Sequence, residues 1–170
     1  MEAPVAFLGL GPGRNFTEYA EHNPCDGCSA PCCRLVILPQ GVPETFRALD
    51  RLRYLVVHEG TELLLDRKGS WHLSTTNPCR LLTDENRCSV HGTPQQPKIC
   101  VNYSPHGCWY KRNFHEVEEP PDLIRMDLGG FDRIVARVTF DPDGNVVDVP
   151  PYDELRRLAA PAGGGRTLSA

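Results

Sequence analysis

The 170-residue sequence lacks the features that mark several classes of protein. It has no run that approaches the ~20 apolar residues of a membrane span. Its N-terminus, Met1-Glu2-Ala3-Pro4, has no basic segment, and the apolar stretch 5–10 is too short for a secretory signal. The net charge of −4 gives no basic footprint for nucleic acid or anionic lipid. These absences predict a cytoplasmic protein with neither a membrane nor a nucleic-acid partner.

The feature that is present in excess is cysteine. The chain has eight cysteines, all between Cys25 and Cys108, within an otherwise ordinary globular composition of 40% hydrophobic and 24% charged residues. This content lies below the ~8–10% typical of small disulfide scaffolds. In the cytoplasm thiols stay reduced, and clustered cysteines there bind metal more often than they form disulfides. The cysteines therefore predict a metal site.

The cysteines form two groups with unequal spacing, which read C-x2-C-x3-C-C and C-x8-C-x11-C-x7-C. Thiolates are soft ligands, and four of them suit zinc or an iron–sulfur cluster. Eight thiols allow two four-ligand sites, or one site with spare thiols or a histidine. Adjacent cysteines tend to point apart, so one of Cys32 and Cys33 would ligate while the other serves a second site or packs. The predicted metal residues are Cys25, Cys28, Cys32, Cys33, Cys79, Cys88, Cys100 and Cys108.

The spacing leaves the identity of the metal open. Zinc ribbons usually carry two separated C-x2-C pairs, and this chain has one. The pattern therefore favours an iron–sulfur cluster, of the 4Fe–4S type, or iron, held by four of a subset of the cysteines. That subset is Cys25, Cys28, Cys33, Cys79, Cys88 and Cys100.

Two other functions remain open at this point. One is a structural zinc module for protein interaction, and the other is a cluster-dependent enzyme. Electron transfer to a redox partner is the simplest role for an iron–sulfur or iron centre. His91 follows Cys88 at ligand spacing and is a candidate ligand or a donor to one.

The sequence predicts a small irregular α+β domain over residues 1–158, with helices and hairpins around a loop-borne metal segment, 25–108. Its main helix should span 43–58, with Pro43 in the first turn. One apolar face follows from the spacing of four residues. These are Phe46, Leu49, either Leu52 or Arg53, and Val56.

Strands should surround this helix. A short strand, 35–38, should end at Pro39, and pairs of apolar runs on either side of a turn segment predict hairpins over 62–75 and 131–149. The second hairpin would turn at Pro142-Asp143-Gly144, where Pro presets φ and Gly accepts positive φ. A loop-rich segment 77–110, a helix 152–158 and a disordered tail 159–170 complete the expectation.

Four segments together resemble the YkgJ-type cysteine-cluster family, a zinc- or iron-chelating family. Residues 25–34 contain C-D-G-C and C-C-R and are similar to its opening. Residues 77–82, 86–91 and 96–103 are similar to its later cysteine segments. The resemblance implies a small metal-binding domain. Some relatives are linked to flagellin lysine N-methylation with an iron–sulfur cluster, an activity that is not carried over here.

This chain also departs from the family pattern. The gap between the sixth and seventh cysteines is about two residues longer than in the family, and the eighth cysteine is an addition. Two family arginines are replaced, which argues against a shared anion-binding role and leaves the thiols unaffected. The changed positions are His91 for tyrosine, Gln96 and Val101 for arginine, and the added Cys108.

Overall fold

The computed structural model describes residues 25, 27–103, 108–114 and 123–160. The predicted apolar run 5–10 and residues 161–170 of the predicted tail lie outside this part of the chain. The elements in chain order are α1 (Pro31–Arg34), β1 (Leu35–Gly41), α2 (Phe46–Val56), β2 (Thr61–Asp66), β3 (Trp71–Thr76), α3 (Lys98–Val101), α4 (Trp109–Phe114), β4 (Leu123–Met126), α5 (Leu128–Val135), β5 (Thr139–Phe140), β6 (Val146–Asp148) and α6 (Tyr152–Ala159).

The predicted α+β class is confirmed. Strands β1 to β4 form an antiparallel sheet in the order β1-β3-β2-β4, and β5 pairs with β6 in a separate ribbon. Helices α2, α5 and α6 pack against the sheet and one another. Among the described residues, no helix is long and apolar enough to cross a membrane.

The first predicted hairpin is also confirmed. Strands β2 and β3 pair so that Leu63 faces Leu73 and Leu65 faces Trp71. The Asp66 carboxylate closes the turn by accepting the backbone N–H of Lys68 and Ser70, and Gly69 takes a φ of 80°. Half of the residues of each strand are buried, and the strand order places this hairpin at the centre of the sheet.

Helix α2 is shorter than predicted at both ends. It begins at Phe46 because the Thr45 hydroxyl caps it by accepting the Ala48 N–H at 3.1 Å, so Pro43 lies outside the helix. Leu49, Leu52 and Val56 are buried as expected. Phe46 was placed wrongly on the buried face, since it is 54% exposed.

The second hairpin prediction is wrong over its first half. Residues 128–135 form α5 because Asp127 caps a helix there, accepting the Gly130 N–H at 2.8 Å. Phe131 and Ile134 are fully buried on one helical face, a spacing that was read as a strand. The hairpin is confined to β5 and β6, with the predicted turn at residues 141–144.

Other boundaries differ in smaller ways. Strand β1 continues past Pro39 to Gly41, which an edge strand with an irregular register permits. Ala159, assigned to the tail, is the buried last residue of α6. The described residues of segment 77–110 (77–103 and 108–110) are loop-rich as predicted, although they include α3 and the start of α4. The sequence pattern missed β4 and α1.

Helices α5 and α6 approach each other at a glycine. A Cβ on Gly130 would lie 2.7 Å from the Ala159 carbonyl oxygen and 3.1 Å from the Met126 Cβ, distances that force the backbone apart. A Cβ on Gly129, one residue earlier, would meet its nearest atom at 3.4 Å. The two positions share one helix and differ in the space around them.

We expect Gly130→Ala to lower the free energy of unfolding by about 1–3 kcal/mol, because overpacking separates α5 from α6. Gly129→Ala is the control and should be neutral or stabilising by up to about 1 kcal/mol through helix propensity. Urea denaturation of both variants measures the difference. Equal effects of the two substitutions would contradict the close packing.

Candidate metal centre

The sheet register brings the two cysteine groups together. Strand β1 begins directly after α1, and its first residue, Leu35, pairs with Thr76 at the end of β3. The ladder continues outward, since the Asn77 N–H donates to the Arg34 carbonyl at 2.8 Å and the Cys79 N–H donates to the Cys33 carbonyl at 2.7 Å. Cys33 and Cys79 therefore lie side by side, although 45 residues separate them in the sequence.

Helix α1 presents the adjacent pair Cys32 and Cys33. Ala30 starts this turn in the left-handed conformation and Pro31 occupies its first position. Hydrogen bonding from the Cys32 thiol lowers the pKa of Cys33 to about 6. Partial burial opposes this shift, whereas the positive charge of Arg34 supports it. The same bond, partial burial and nearby thiolates raise the pKa of Cys32. The two thiols thus influence each other's pKa, and which of them ligates stays a prediction.

Arg34 fastens α1 to the second cysteine segment. Its Nε donates to the Ser29 carbonyl at 3.0 Å and its Nη2 donates to the Asn86 side-chain oxygen at 2.7 Å. Asn86 holds a positive φ of 60° in the loop before Cys88. The guanidinium thus links both cysteine groups and supplies a positive charge beside Cys33.

The loop that carries Cys79 and Cys88 is closed by local hydrogen bonds. Leu82 forms an isolated antiparallel bridge with Cys88, and its N–H donates to the Cys79 carbonyl at 3.1 Å. Further along, the buried Gln96 side chain accepts the Gly92 N–H at 2.8 Å and shapes the approach to α3. These contacts set the path of the chain from Cys79 to α3.

Cys100 completes this side of the region. It lies in α3, where partial burial and then the charges of Cys33, Cys88 and Cys79 raise its pKa. A thiol is influenced in this way only by charges nearby, since screening limits the range to about 10 Å. Four cysteines from α1, the bridged loop and α3 are thus electrostatic neighbours.

An aromatic group lies beside the other cysteines. The Tyr103 hydroxyl donates to the Cys108 sulfur at 3.4 Å, and burial together with this bond raises the pKa of Tyr103 to about 12. Tyr110 in α4 contacts the Tyr103 ring, and its pKa is raised by burial and by the charges of Cys32 and Cys108, among other thiols. Since α4 packs on α1, these rings cover one flank of the thiols.

The first C-x2-C pair forms a turn. The Cys28 N–H donates to the Cys25 carbonyl at 3.1 Å, and Gly27 takes a φ of 70°. Cys25 contributes to the raised pKa of Cys32, which places this turn near α1. Mutual electrostatic influence thus relates Cys25, Cys32, Cys33, Cys79, Cys88, Cys100 and Cys108 to one region, and a backbone bond joins Cys28 to Cys25.

The donor set suits a soft metal, whereas the spacing of the donors is looser than in a formed site. The groups gathered are thiols, and the charges of neighbouring thiolates raise the pKa of Cys32 and of Cys100, so both would gain from a shared cation. Within the described ranges, no three Cys, His, Asp or Glu side chains are close enough to hold an ion as they stand. His91 is exposed, and its backbone N–H donates to the Cys88 carbonyl at 3.2 Å. Its role as a ligand stays a prediction.

No family model, curated protein or solved structure matches the chain. The resemblance to the YkgJ-type family therefore stays a prediction, as do the roles of the eight cysteines.

Sequence reasoning missed the residues that hold the region together. Arg34 was noted only as part of the resemblance, and Gln96 only as a replaced arginine, yet both fix the cysteine loops. Tyr103 likewise appeared as a motif letter and not as a donor to Cys108. The partners of Gln96 and Tyr103 lie 4 and 5 residues away, so closeness in the sequence could have suggested them. The partner of Arg34 lies 52 residues away, and no local pattern indicates it.

We expect Arg34→Ala to lower the free energy of unfolding by about 2–3 kcal/mol, because it removes two hydrogen bonds from a charged, partly buried donor. Arg53→Ala is the matched control. It breaks an ion pair with Asp132 on the exposed surface, where solvent screens the two charges, so the loss of stability should be the smaller one. Urea denaturation gives both values, and a larger loss in Arg53→Ala would contradict the linking role of Arg34.

Proposed function

We propose that this is a metal-binding protein whose clustered cysteines hold an iron–sulfur cluster or iron. The observation that carries the proposal is the hydrogen bond from Cys79 to Cys33, which sets the two cysteine segments side by side. The all-thiol donor set supports it, since such ligands suit these centres. The role would be electron transfer with a redox partner or service to a coupled enzyme.

The chain's own residues would perform three tasks at this centre. The thiolates would bind the metal, and an iron–sulfur cluster, when bound, would supply one-electron transfer. The Tyr103 hydroxyl, which donates to Cys108, would remove electron density from that sulfur. Tyr110 and Trp109 would restrict water on one flank, while the exposed Cys79 and Cys100 leave the opposite approach open to a partner.

A structural zinc module for protein interaction is the second candidate. The observation that favours it is the irregular path of residues 77–97, held by a few loop hydrogen bonds. Such a loop gains most from an ion that fixes its cysteines, because metal binding then contributes to folding. Both candidates involve a reducing, cytoplasmic compartment and agree with membership of the YkgJ-type family, which we propose with them.

The test is metal analysis of protein purified without oxygen. Iron, acid-labile sulfide and zinc are measured together with the absorption spectrum. We expect bound metal in the wild type. At limiting metal, Cys33→Ser and Cys79→Ser should each lower occupancy at least tenfold, because each removes a thiolate. Residues that only support a ligand already change metal affinity by about 10–100-fold. Ser89→Ala, an exposed neighbour of Cys88, is the control and should keep its metal.

The outcomes separate the candidates. A brown protein with iron and sulfide supports the cluster, and a colourless protein with zinc alone supports the structural module. A wild type without either metal contradicts metal binding. Full metal in both serine variants contradicts the assignment of the site to Cys33 and Cys79.

A further inference from the structure

A shallow groove lies between the end of β1 and the first two turns of α2. Its lining includes Gln40 and Val42 on one side and Arg47, Ala48 and Arg51 on the other, and its volume is about 410 Å³. Ligand sites of about 300–1,000 Å³ are typical of proteins, so this groove has room for a few residues of a peptide. None of the eight cysteines lines it. The groove is therefore separate from the proposed metal centre.

The apolar side of the groove is exposed to solvent. Val42 is 60% exposed, and Leu38 on the adjoining strand is 45% exposed. Leu38 pairs with Leu73, a member of the core, so it lies on the face of the sheet against which the helices pack. Helix α2 packs on β2 and α5, at the middle of that face. Beside α2, the edge of the sheet thus presents uncovered apolar side chains.

Two arginines of α2 supply the charge of the groove. Arg47 and Arg51 are four residues apart on this helix, which places their Cβ atoms about 5–6 Å apart on one side. Both are exposed, and neither belongs to an ion pair among the described residues. This includes Glu44 and Asp50, the acidic residues nearest to them in the sequence. The groove therefore carries two positive charges that are available to a ligand with negative ones.

An extended acidic peptide matches this pattern. Alternate side chains of a strand lie on one face, about 6.5–7 Å apart, which is close to the spacing of the two arginines. Two carboxylates at positions i and i+2 would each reach one guanidinium, whose planar fork pairs with a carboxylate. The intervening apolar side chains point the other way and would contact Val42 and Leu38.

We propose that this groove binds an extended segment of a partner protein in which acidic and apolar residues alternate. Arg47 and Arg51 bind the carboxylates, and Val42 and Leu38 contact the apolar side chains. The inference goes beyond the proposed metal-binding function, because it assigns a protein-binding surface that involves no cysteine.

Fluorescence anisotropy of the full-length protein, purified without oxygen, tests the proposal. The probe is a fluorescein-labelled peptide in which glutamate and valine alternate over six residues, and the control probe carries lysine in place of glutamate. We expect the wild type to bind the acidic probe and not the lysine probe. Binding should weaken as the ionic strength rises from about 0.01 M to about 0.15 M, because the Debye length falls from about 30 Å to about 8 Å.

Substitutions in the groove test the assigned residues. Arg47→Ala and Arg51→Ala should each weaken binding about two- to fivefold, the range expected for the loss of one exposed ion pair, and the double variant about tenfold. Val42→Ser should weaken it about threefold through lost apolar contact. Arg157→Ala is the control and should bind as the wild type does, because α6 packs on β4, at the opposite edge of the sheet from β1.

Four results would overturn the proposal. These are equal binding of the two probes, undiminished binding by the double arginine variant, an equal loss of binding in Arg157→Ala, and no binding by the wild type up to about 1 mM protein. The comparison of the two probes needs no substitution, so it holds whether or not every variant folds. Metal content is a separate measurement, since a wild type that binds the acidic probe but holds no metal contradicts only the proposed metal-binding function.

Discussion

The β1–β3 ladder is the constraint on which the cysteine region depends. Its register pairs Leu35 with Thr76, and the next two backbone bonds carry the alignment outward to Cys33 and Cys79. A slip of one residue would turn every side chain of β1 to the other face and separate the two cysteine segments. Strand β3, which leads to Cys79, is in turn held by its pairing with β2, in which Leu63 and Leu65 are almost fully enclosed. The hydrophobic core thus positions the strand that leads to Cys79.

The molecule divides into a part that its core stabilises and a part that an ion would complete. Sheet, α2, α5 and α6 share one buried cluster, which includes Trp71 and Phe131 with their rings 5.8 Å apart. The cysteine loop has few buried residues, of which Gln96 is one, and relies on Arg34 for its connection to α1. Folding alone brings thiolates together against their mutual repulsion, whereas a shared cation removes that repulsion and stabilises the folded loop. Folding and metal binding should therefore be coupled in the loop more than in the sheet.

The sequence predicted the parts governed by local pattern and failed where tertiary contacts decide. Alternation and a turn motif were sufficient for the hairpin around Asp66, and helical spacing was sufficient for α2 apart from its ends. The helix at 128–135 was misread because Phe131, Ile134 and Val135 suit a strand equally well, and the capping bond of Asp127 decides the outcome. The cysteines were found by counting, whereas their grouping around Cys32 and Cys33 depends on sheet register and on α4, which spacing does not encode. The proposed family and metal rest on the cysteine pattern and its chemistry.

X-ray absorption at the metal edge tests the central claim most directly, because it identifies the atoms bound to the metal whichever metal is present. The account predicts a first shell made of sulfur at about 2.3 Å, as thiolate ligation requires. The spectrum of the protein purified without oxygen should show this shell and retain it in Arg53→Ala, which lies on the exposed surface pair with Asp132. A first shell of nitrogen or oxygen at about 2.0–2.2 Å, or no metal edge at all, would contradict the account.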